Sequence, residues 1–253
     1  MSERGSAGGE RPVALLVGGG AGIGAATAAR LGRAGYALAV ADLAVERARA
    51  VVDDLERAGA PALALAVDAT DEAQVQATVD ETFARFGRID GLVTTVGGSR
   101  PLLVSDMSLA EWNKMLTVNL TSQFLTARAV LPTMQRQRGG SIVALSSGQA
   151  WGEARRADYA AAKNGIIGFV RSLALEVARD GIRVNAVAPG MTLTERVLNM
   201  MGPEEITQRT SRIPLGRAAE PADLADVIAW FLSPESRYVT GQVLLVNGGS
   251  LLR

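Results

Sequence analysis

VALLVGGGAGIG, residues 13–24, decides how the rest of the chain is read. Its five leading apolar residues have the length and content of a strand buried on both faces. A cluster of glycines follows, and a helical pattern begins near Ile23. Strand, glycine turn and helix in that order bring unpaired backbone N–H groups and the positive end of a helix dipole to one point, where a pyrophosphate can be held. Glycine lets the backbone approach phosphate with no Cβ in the way. The residues that would do this are Gly18, Gly20, Gly22, Ile23 and Gly24.

The same alternation continues outward. Short apolar runs at 13–17, 37–41, 62–67, 91–95, 141–145, 183–187 and 243–246 read as seven strands. Helical patterns at 22–34, 45–58, 71–86, 109–137, 156–179 and 220–232 lie between them. Alternating β and α segments predict an α/β fold, a doubly wound parallel sheet flanked by helices on both faces. No linker or break in composition divides the body, so residues 12–253 are expected to form a single domain behind a flexible tail at 1–11. Residues 190–219 leave the alternation, with Gly202-Pro203 and Pro214-Leu215-Gly216 among scattered Thr, Met and Leu. A stretch that follows a strand's carboxyl end is suited to be a substrate lid.

Asp42 closes the second strand about 20 residues after the glycine loop, where a carboxylate can accept hydrogen bonds from ribose hydroxyls. Leu43 follows, and no Arg or Lys sits beside Asp42 in the sequence. A 2′-phosphate would meet an anion there, so NAD(H) is expected over NADP(H). The alternative role for Asp42 is a helix N-cap.

Composition narrows the chemistry. The chain has 253 residues, 48% of them apolar, with 26 Lys+Arg balancing 26 Asp+Glu. It has no apolar run of membrane-spanning length, no secretory signal and no basic stripe, which argues against a membrane or nucleic-acid role and for a cytoplasmic protein. It also has no Cys and no His. That removes thiolate nucleophiles, a Ser-His-Asp triad and a zinc site built on His or Cys, so no metal is expected. Acid–base chemistry must fall to Tyr, Lys, Asp, Glu or a relay of hydroxyls and water.

DYAAAKN, residues 158–164, supplies a candidate. Tyr159 and Lys163 are four apart and share one face of a predicted helix. A phenol ionises near pH ~10, and a neighbouring ammonium favours phenolate. Tyr159 can then act as general acid and base.

Glycine loop, acidic strand end, an upstream serine and Tyr-x-x-x-Lys occur in this order, together with Val118-Asn119, GSIVALSSG, RVNAVAPGMTLT and TGQVLLVNGG. This text resembles the short-chain dehydrogenase/reductase family over residues 13–251. The resemblance implies an oxidoreductase acting on CH–OH groups, interconverting a secondary alcohol and a ketone by hydride transfer. Candidate substrates are 3-oxoacyl compounds, hydroaromatic diols or other hydroxy compounds. It implies Tyr159 as proton donor and acceptor, Lys163 as the group that lowers its pKa and bonds the nicotinamide ribose, and Asn119 as the holder of a relay water. Ser147, with Ser146 as runner-up, would stabilise the substrate oxygen. Asp68 and Ala69 would meet the adenine, Thr94 the adenosine ribose, and Pro189, Gly190, Thr192 and Thr194 the nicotinamide end. A homotetramer, or a homodimer, is expected from the apolar stripes of 109–137 and 156–179 and the apolar C-terminal strand.

Three departures from the family pattern stand out. Val17 replaces the threonine that usually ties the glycine loop to a neighbouring strand. Thr94-Thr95-Val96-Gly97 replaces Asn-Asn-Ala-Gly. Arg100, Arg155 and Arg156 lie where they could face an anionic substrate, since a guanidinium holds a carboxylate at two points. The first two favour an alternative reading, a catalytically weak dinucleotide sensor or scaffold.

Overall fold

The computed structural model describes residues 11–252. The expected tail at 1–11 therefore lies, apart from Arg11, outside the described residues. Seven parallel strands form one sheet in the order β3-β2-β1-β4-β5-β6-β7. They are β1 Val13–Val17, β2 Ala37–Asp42, β3 Ala62–Ala66, β4 Gly91–Thr94, β5 Gly140–Leu145, β6 Ile182–Pro189 and β7 Val243–Val246. The helices are α1 Gly22–Arg33, α2 Val45–Arg57, α3 Glu72–Phe86, α4 Leu109–Leu116, α5 Ser122–Gln137, α6 Ala157–Val177, α7 Glu195–Met200, α8 Pro203–Thr210 and α9 Pro221–Leu232.

The continuous apolar runs have a simple cause. Successive residues of a strand point to opposite faces. Leu15 and Val17 join one core with Leu92, Val79, Val130 and Val170, while Ala14 and Leu16 join a second with Val93, Leu31, Val52 and Ile228. Each face of the sheet is thus covered by helices, α3, α5 and α6 on one side and α1, α2 and α9 on the other. Helix starts follow local chemistry. Asp71 accepts from the Ala73 and Gln74 amides ahead of α3, Ser108 and Glu111 form a capping box at α4, and Pro221 occupies the first turn of α9.

The chain leaves β1 toward β2 and β3, then returns to place β4 on the other side of β1. β1 and β4 stay paired through Val17 and Thr94, and at that reversal the segments that follow them lead to helices on opposite faces, which opens a crevice beyond the strand ends. One expectation needs correcting. The helix read as 109–137 is interrupted by a π-helical turn at Thr117–Thr121. The turn holds the fully buried Asn119, whose side-chain amide donates to the Met115 carbonyl one turn back. A side chain that bonds inside the backbone ladder supports such a local widening.

Residues 190–219 hold α7 and α8 and are closed at their base. Thr192 pairs with Ala219 in an isolated bridge, with Leu193 N–H donating to the Ala219 carbonyl and Ala219 N–H to the Met191 carbonyl.

Candidate active site

A cleft of about 1070 Å³ runs across the carboxyl ends of β1, β4, β5 and β6. At one end the glycine loop turns from β1 into α1. The Gly18 and Gly19 amides donate to the Ala41 carbonyl, which sets the loop against β2. Gly18 and Gly22 adopt φ values of 82° and 52°, left-handed conformations that suit glycine. A Cβ on Gly24 would lie 2.2 Å from the Gly18 carbonyl oxygen, so the helix starts as close to the loop as a glycine allows. Ala21, the residue before α1, offers no capping side chain, and the first turn carries no acidic residue. The donors at this helix start are left for a ligand, and Gly18, Gly22, Ile23 and Gly24 all line the cleft. Gly20 sits behind it and donates its N–H to Asp42 Oδ2 at 2.9 Å. A dinucleotide pyrophosphate fits this cradle.

Val17 has no hydroxyl to tie the loop down, and the tie comes from the opposite strand. Thr95 Oγ1 donates to the Gly18 carbonyl at 2.8 Å. The departure at Val17 is therefore compensated by the departure at Thr95. Removing one such bond costs about 1 kcal/mol, or roughly fivefold in a binding constant. Thr95→Val is expected to weaken NADH binding by about that factor, with unchanged secondary structure; unaltered affinity in a calorimetric titration would show the tie to be idle.

Thr94 needs correction. Its hydroxyl is buried and shares a 2.9 Å hydrogen bond with Thr126, away from the cleft, because it points from the strand into the core rather than off its end. Thr95 and Val96 occupy the lining instead.

At the outer end, Asp42, Leu43, Asp68 and Ala69 line the cleft. Asp42 accepts from the Gly20 and Ala44 amides, one through each oxygen, so it serves the local turn and keeps lone pairs for a ribose. Asp68 Oδ1 accepts from the amide and hydroxyl of Thr70. No basic residue adjoins Asp42 in the sequence, but the fold brings one to the same wall. Arg47, one turn into α2, lines the same cleft, and a Cβ on Gly20 would fall between Arg47 Cβ at 2.8 Å and Asp42 Oδ2 at 2.9 Å.

Tyr159, Lys163 and Ser147 meet at the inner end with Pro189, Gly190, Thr192 and Thr194. Ser147 Oγ accepts from the Gln149 amide at 3.1 Å and faces the phenol. Ser146 is spent elsewhere: buried, it donates to the Lys163 carbonyl at 2.8 Å. Of the two serines, Ser147 is the one beside Tyr159. Thr192 donates to the Gly190 carbonyl, and Thr194 caps α7 through the Val197 amide.

Lys163 Nζ lies 5.7 Å from the Tyr159 ring centroid and donates to the Leu145 carbonyl at 2.7 Å. Burial pulls its pKa down to about 7. Here too an expectation changes. Burial raises the Tyr159 phenol above its ordinary value, and the opposing influences come from hydrogen bonding to Ser147 and from the charges of Arg156 and Arg196. A lysine whose pKa is drawn down to about 7 carries only part of its charge at neutral pH, so it lends the phenol less than a full ammonium would.

Asn119 backs this wall rather than lining it. Its Oδ1 accepts from Gly98 N–H and its Nδ2 donates to the Gly98 carbonyl, both at 3.0 Å. A Cβ on Gly97 would lie 2.5 Å from Asn119 Oδ1 and 3.2 Å from Lys163 Nζ, so the glycine keeps open the space between them.

The arginines separate. Arg100 pairs with Glu111 and Arg155 is exposed, and neither lines the cleft. Arg156 does, and so does Arg196, which sequence reasoning missed because α7 was hidden in an irregular stretch.

A family profile described as "Enoyl-(Acyl carrier protein) reductase" matches residues 18–250. The chain is 38% identical to the (2S)-[(R)-hydroxy(phenyl)methyl]succinyl-CoA dehydrogenase subunit BbsD of Thauera aromatica, covering 95% of this chain and 96% of that one. It is 36% identical to the 3-oxoacyl-[acyl-carrier-protein] reductase FabG of Thermotoga maritima, covering 96% and 99%. Among solved structures, a 7α-hydroxysteroid dehydrogenase complexed with NADH and 7-oxo glycochenodeoxycholic acid superposes with a TM-score of 0.92 at 32% identity, covering 95% of this chain and 94% of that one.

Proposed function

The chain belongs to the short-chain dehydrogenase/reductase family, and from that premise we propose which of its residues do the chemistry. It is an NAD(P)-dependent oxidoreductase that interconverts an alcohol and a ketone. The observation that carries the residue assignment is the convergence of Tyr159, Ser147 and Lys163 at the inner end of a cleft whose outer end is the glycine loop.

In the reductive direction Tyr159 Oη and Ser147 Oγ both donate to the substrate carbonyl oxygen, polarising it and fixing its position. When bound, the nicotinamide supplies hydride in reduction and takes it in oxidation. Tyr159 gives its proton to the oxygen as negative charge develops there. Lys163, with a pKa of about 7, takes up and releases protons at neutral pH behind Tyr159. Asn119 Oδ1 retains a lone pair beyond its bond to Gly98, and the space beside Gly97 suits a water that Oδ1 holds by accepting its O–H and that exchanges protons with Lys163 Nζ. In oxidation Tyr159 Oη is the base that accepts the alcohol proton. The cradle of Gly18, Gly22, Ile23 and Gly24 holds the pyrophosphate while Gly20, behind it, fixes Asp42; Asp68 and Ala69 flank the adenine, and Pro189, Gly190, Thr192 and Thr194 border the nicotinamide. Residues 12–253 work as one domain, with 190–219 as the lid over the reacting end.

NAD(H) is preferred over NADP(H) through Asp42, whose charge opposes a 2′-phosphate more directly than Arg47 can attract one, because Asp42 is fastened to the loop by Gly20 N–H. A kcat/KM with NADH at least tenfold above that with NADPH is expected, and Asp42→Ala should narrow the gap; a higher value with NADPH for the native protein would reverse the assignment.

The protein acts in the cytoplasm as a homotetramer or homodimer. Supporting this, β7 is an open sheet edge with Leu244 41% exposed, and Leu175 on α6 is 83% exposed. Light scattering at working concentration should give two or four times the chain mass, and a stable monomer would refute it.

The family assignment of activity is tested by following nicotinamide absorbance over a broad panel of ketones and alcohols. Turnover of at least one is expected. Tight NADH binding with no turnover of any would instead describe a dinucleotide sensor.

A further inference from the structure

The relatives named above act on unlike molecules, so the substrate must be read from what lines this cleft. Resting on the reading that Tyr159 marks the reacting end, we propose that Arg156 and Arg196 form a carboxylate subsite, and that the substrate is an apolar hydroxy or oxo compound bearing a carboxylate.

Two guanidiniums from distant parts of the chain close on one tripeptide. Arg156, at the start of α6, donates to Ser99 Oγ. Arg196, on α7, donates from Nη1 to the Gly97 carbonyl at 3.3 Å and from Nη2 to the Ser99 carbonyl at 3.2 Å. Residue 98 must be glycine for this, since a Cβ there would stand 1.8 Å from Arg196 Nη1. These bonds to Arg196 are long and their acceptors neutral, so a carboxylate would displace or augment them with gain. Among the described residues no carboxylate lies within 4.0 Å of either guanidinium. Of the two acidic residues on this part of the lining, Glu153 faces Arg209 at 3.8 Å, and Glu195 is exposed at the start of α7. Two like charges gathered at one end of a cleft favour an anion between them.

The subsite lies within reach of the reacting oxygen. The charges of both arginines act on the Tyr159 phenol. The wall around them also carries Trp151, Met191, Met200 and Met201, which give a hydrocarbon body apolar surface to cover. A guanidinium fork presents paired N–H donors that match the two oxygens of a carboxylate.

The test pairs each acid with its methyl ester. 4-Oxocyclohexanecarboxylate, 3-oxocyclohexanecarboxylate and 4-oxopentanoate are assayed beside their esters with NADH. Binding of the same acids and esters to the NADH-loaded protein is measured by calorimetry, which needs no turnover. The wild-type protein should favour at least one acid over its ester by about tenfold or more, in KM and in Kd. Arg156→Met and Arg196→Met should each raise the Kd of that acid by about tenfold and leave the Kd of the ester unchanged, whereas damage to the lid alone would affect both alike. Arg196→Lys should restore part of the preference. Equal binding of every acid and ester, or equal losses for both in the variants, would overturn the proposal. Arginine-dependent binding of an acid with no reduction of any ketone would leave the subsite standing and remove the catalytic reading instead.

Discussion

Tyr159→Phe is expected to lower kcat by about 10³-fold while leaving NADH affinity close to that of the wild type. The substitution keeps the ring and its packing and removes only Oη, the one group positioned to give or take the substrate proton. Ser147 remains, and continues to polarise the oxygen, so a residue of activity should persist. The pH dependence follows from the same group. Burial raises the phenol above its ordinary value in the cofactor-free protein, so Tyr159 is protonated at neutral pH and ready to serve in ketone reduction. Alcohol oxidation needs the phenolate, so its rate should rise with pH, and reduction should fall as the phenol deprotonates. Activity of the Phe variant within a few-fold of wild type, with the same pH profile, would move the proton transfer to another residue.

Gly24→Ala should be nearly as damaging, at the other end of the cleft. The added methyl would stand 2.2 Å from the Gly18 carbonyl oxygen and 2.9 Å from Gly19 Cα, both backbone, with Thr95 Oγ1 at 2.8 Å. The two backbone atoms cannot step aside as a flexible side-chain end could. Either α1 backs away from the loop or the loop shifts off Thr95, and both spoil the donors that face the pyrophosphate. A loss of about 100-fold in NADH affinity is expected, equivalent to about 2.7 kcal/mol and in line with overpacking at a rigid site. Far-ultraviolet circular dichroism should stay close to wild type, because the two cores on either side of the sheet do not include this residue. Near-normal affinity would mean that the helix start is not where the dinucleotide rests.

Local patterns carried most of the architecture into the sequence. The strands are continuous apolar runs because both faces are covered, and the glycine loop is marked by residues whose side chains the geometry forbids. What was hidden depended on contacts between distant segments. The π-helical turn at Thr117–Thr121 leaves no mark in an apolar period and arises where the Asn119 amide bonds Met115 and clamps Gly98. Arg47 is five residues beyond Asp42 in sequence, and only the turn into α2 returns it to the same wall. The loss of a threonine at 17 and the gain of one at 95 looked like two separate defects, yet Thr95 reaches across to Gly18 and joins them into one exchange. Ser147 is favoured over Ser146 by its place after the strand, and the separation between them comes from the end of β5, which turns Ser146 toward the Lys163 carbonyl and Ser147 toward the phenol. Arg196 lay in a stretch without periodicity, and Gly98, which admits its guanidinium, gave no hint of that partner.

The most direct measurement is deuterium transfer. NADH labelled at one position of nicotinamide C4 is incubated with the protein and a ketone found in the panel, and the alcohol is analysed by mass and NMR. If Tyr159 and Ser147 hold the carbonyl against a bound nicotinamide, one of the two C4-labelled forms should deliver a single deuterium to the carbinol carbon, and Tyr159→Phe should slow that delivery in proportion to its loss of kcat. Alcohol formed without deuterium from either form, or label delivered at an undiminished rate by Tyr159→Phe, would contradict the assignment.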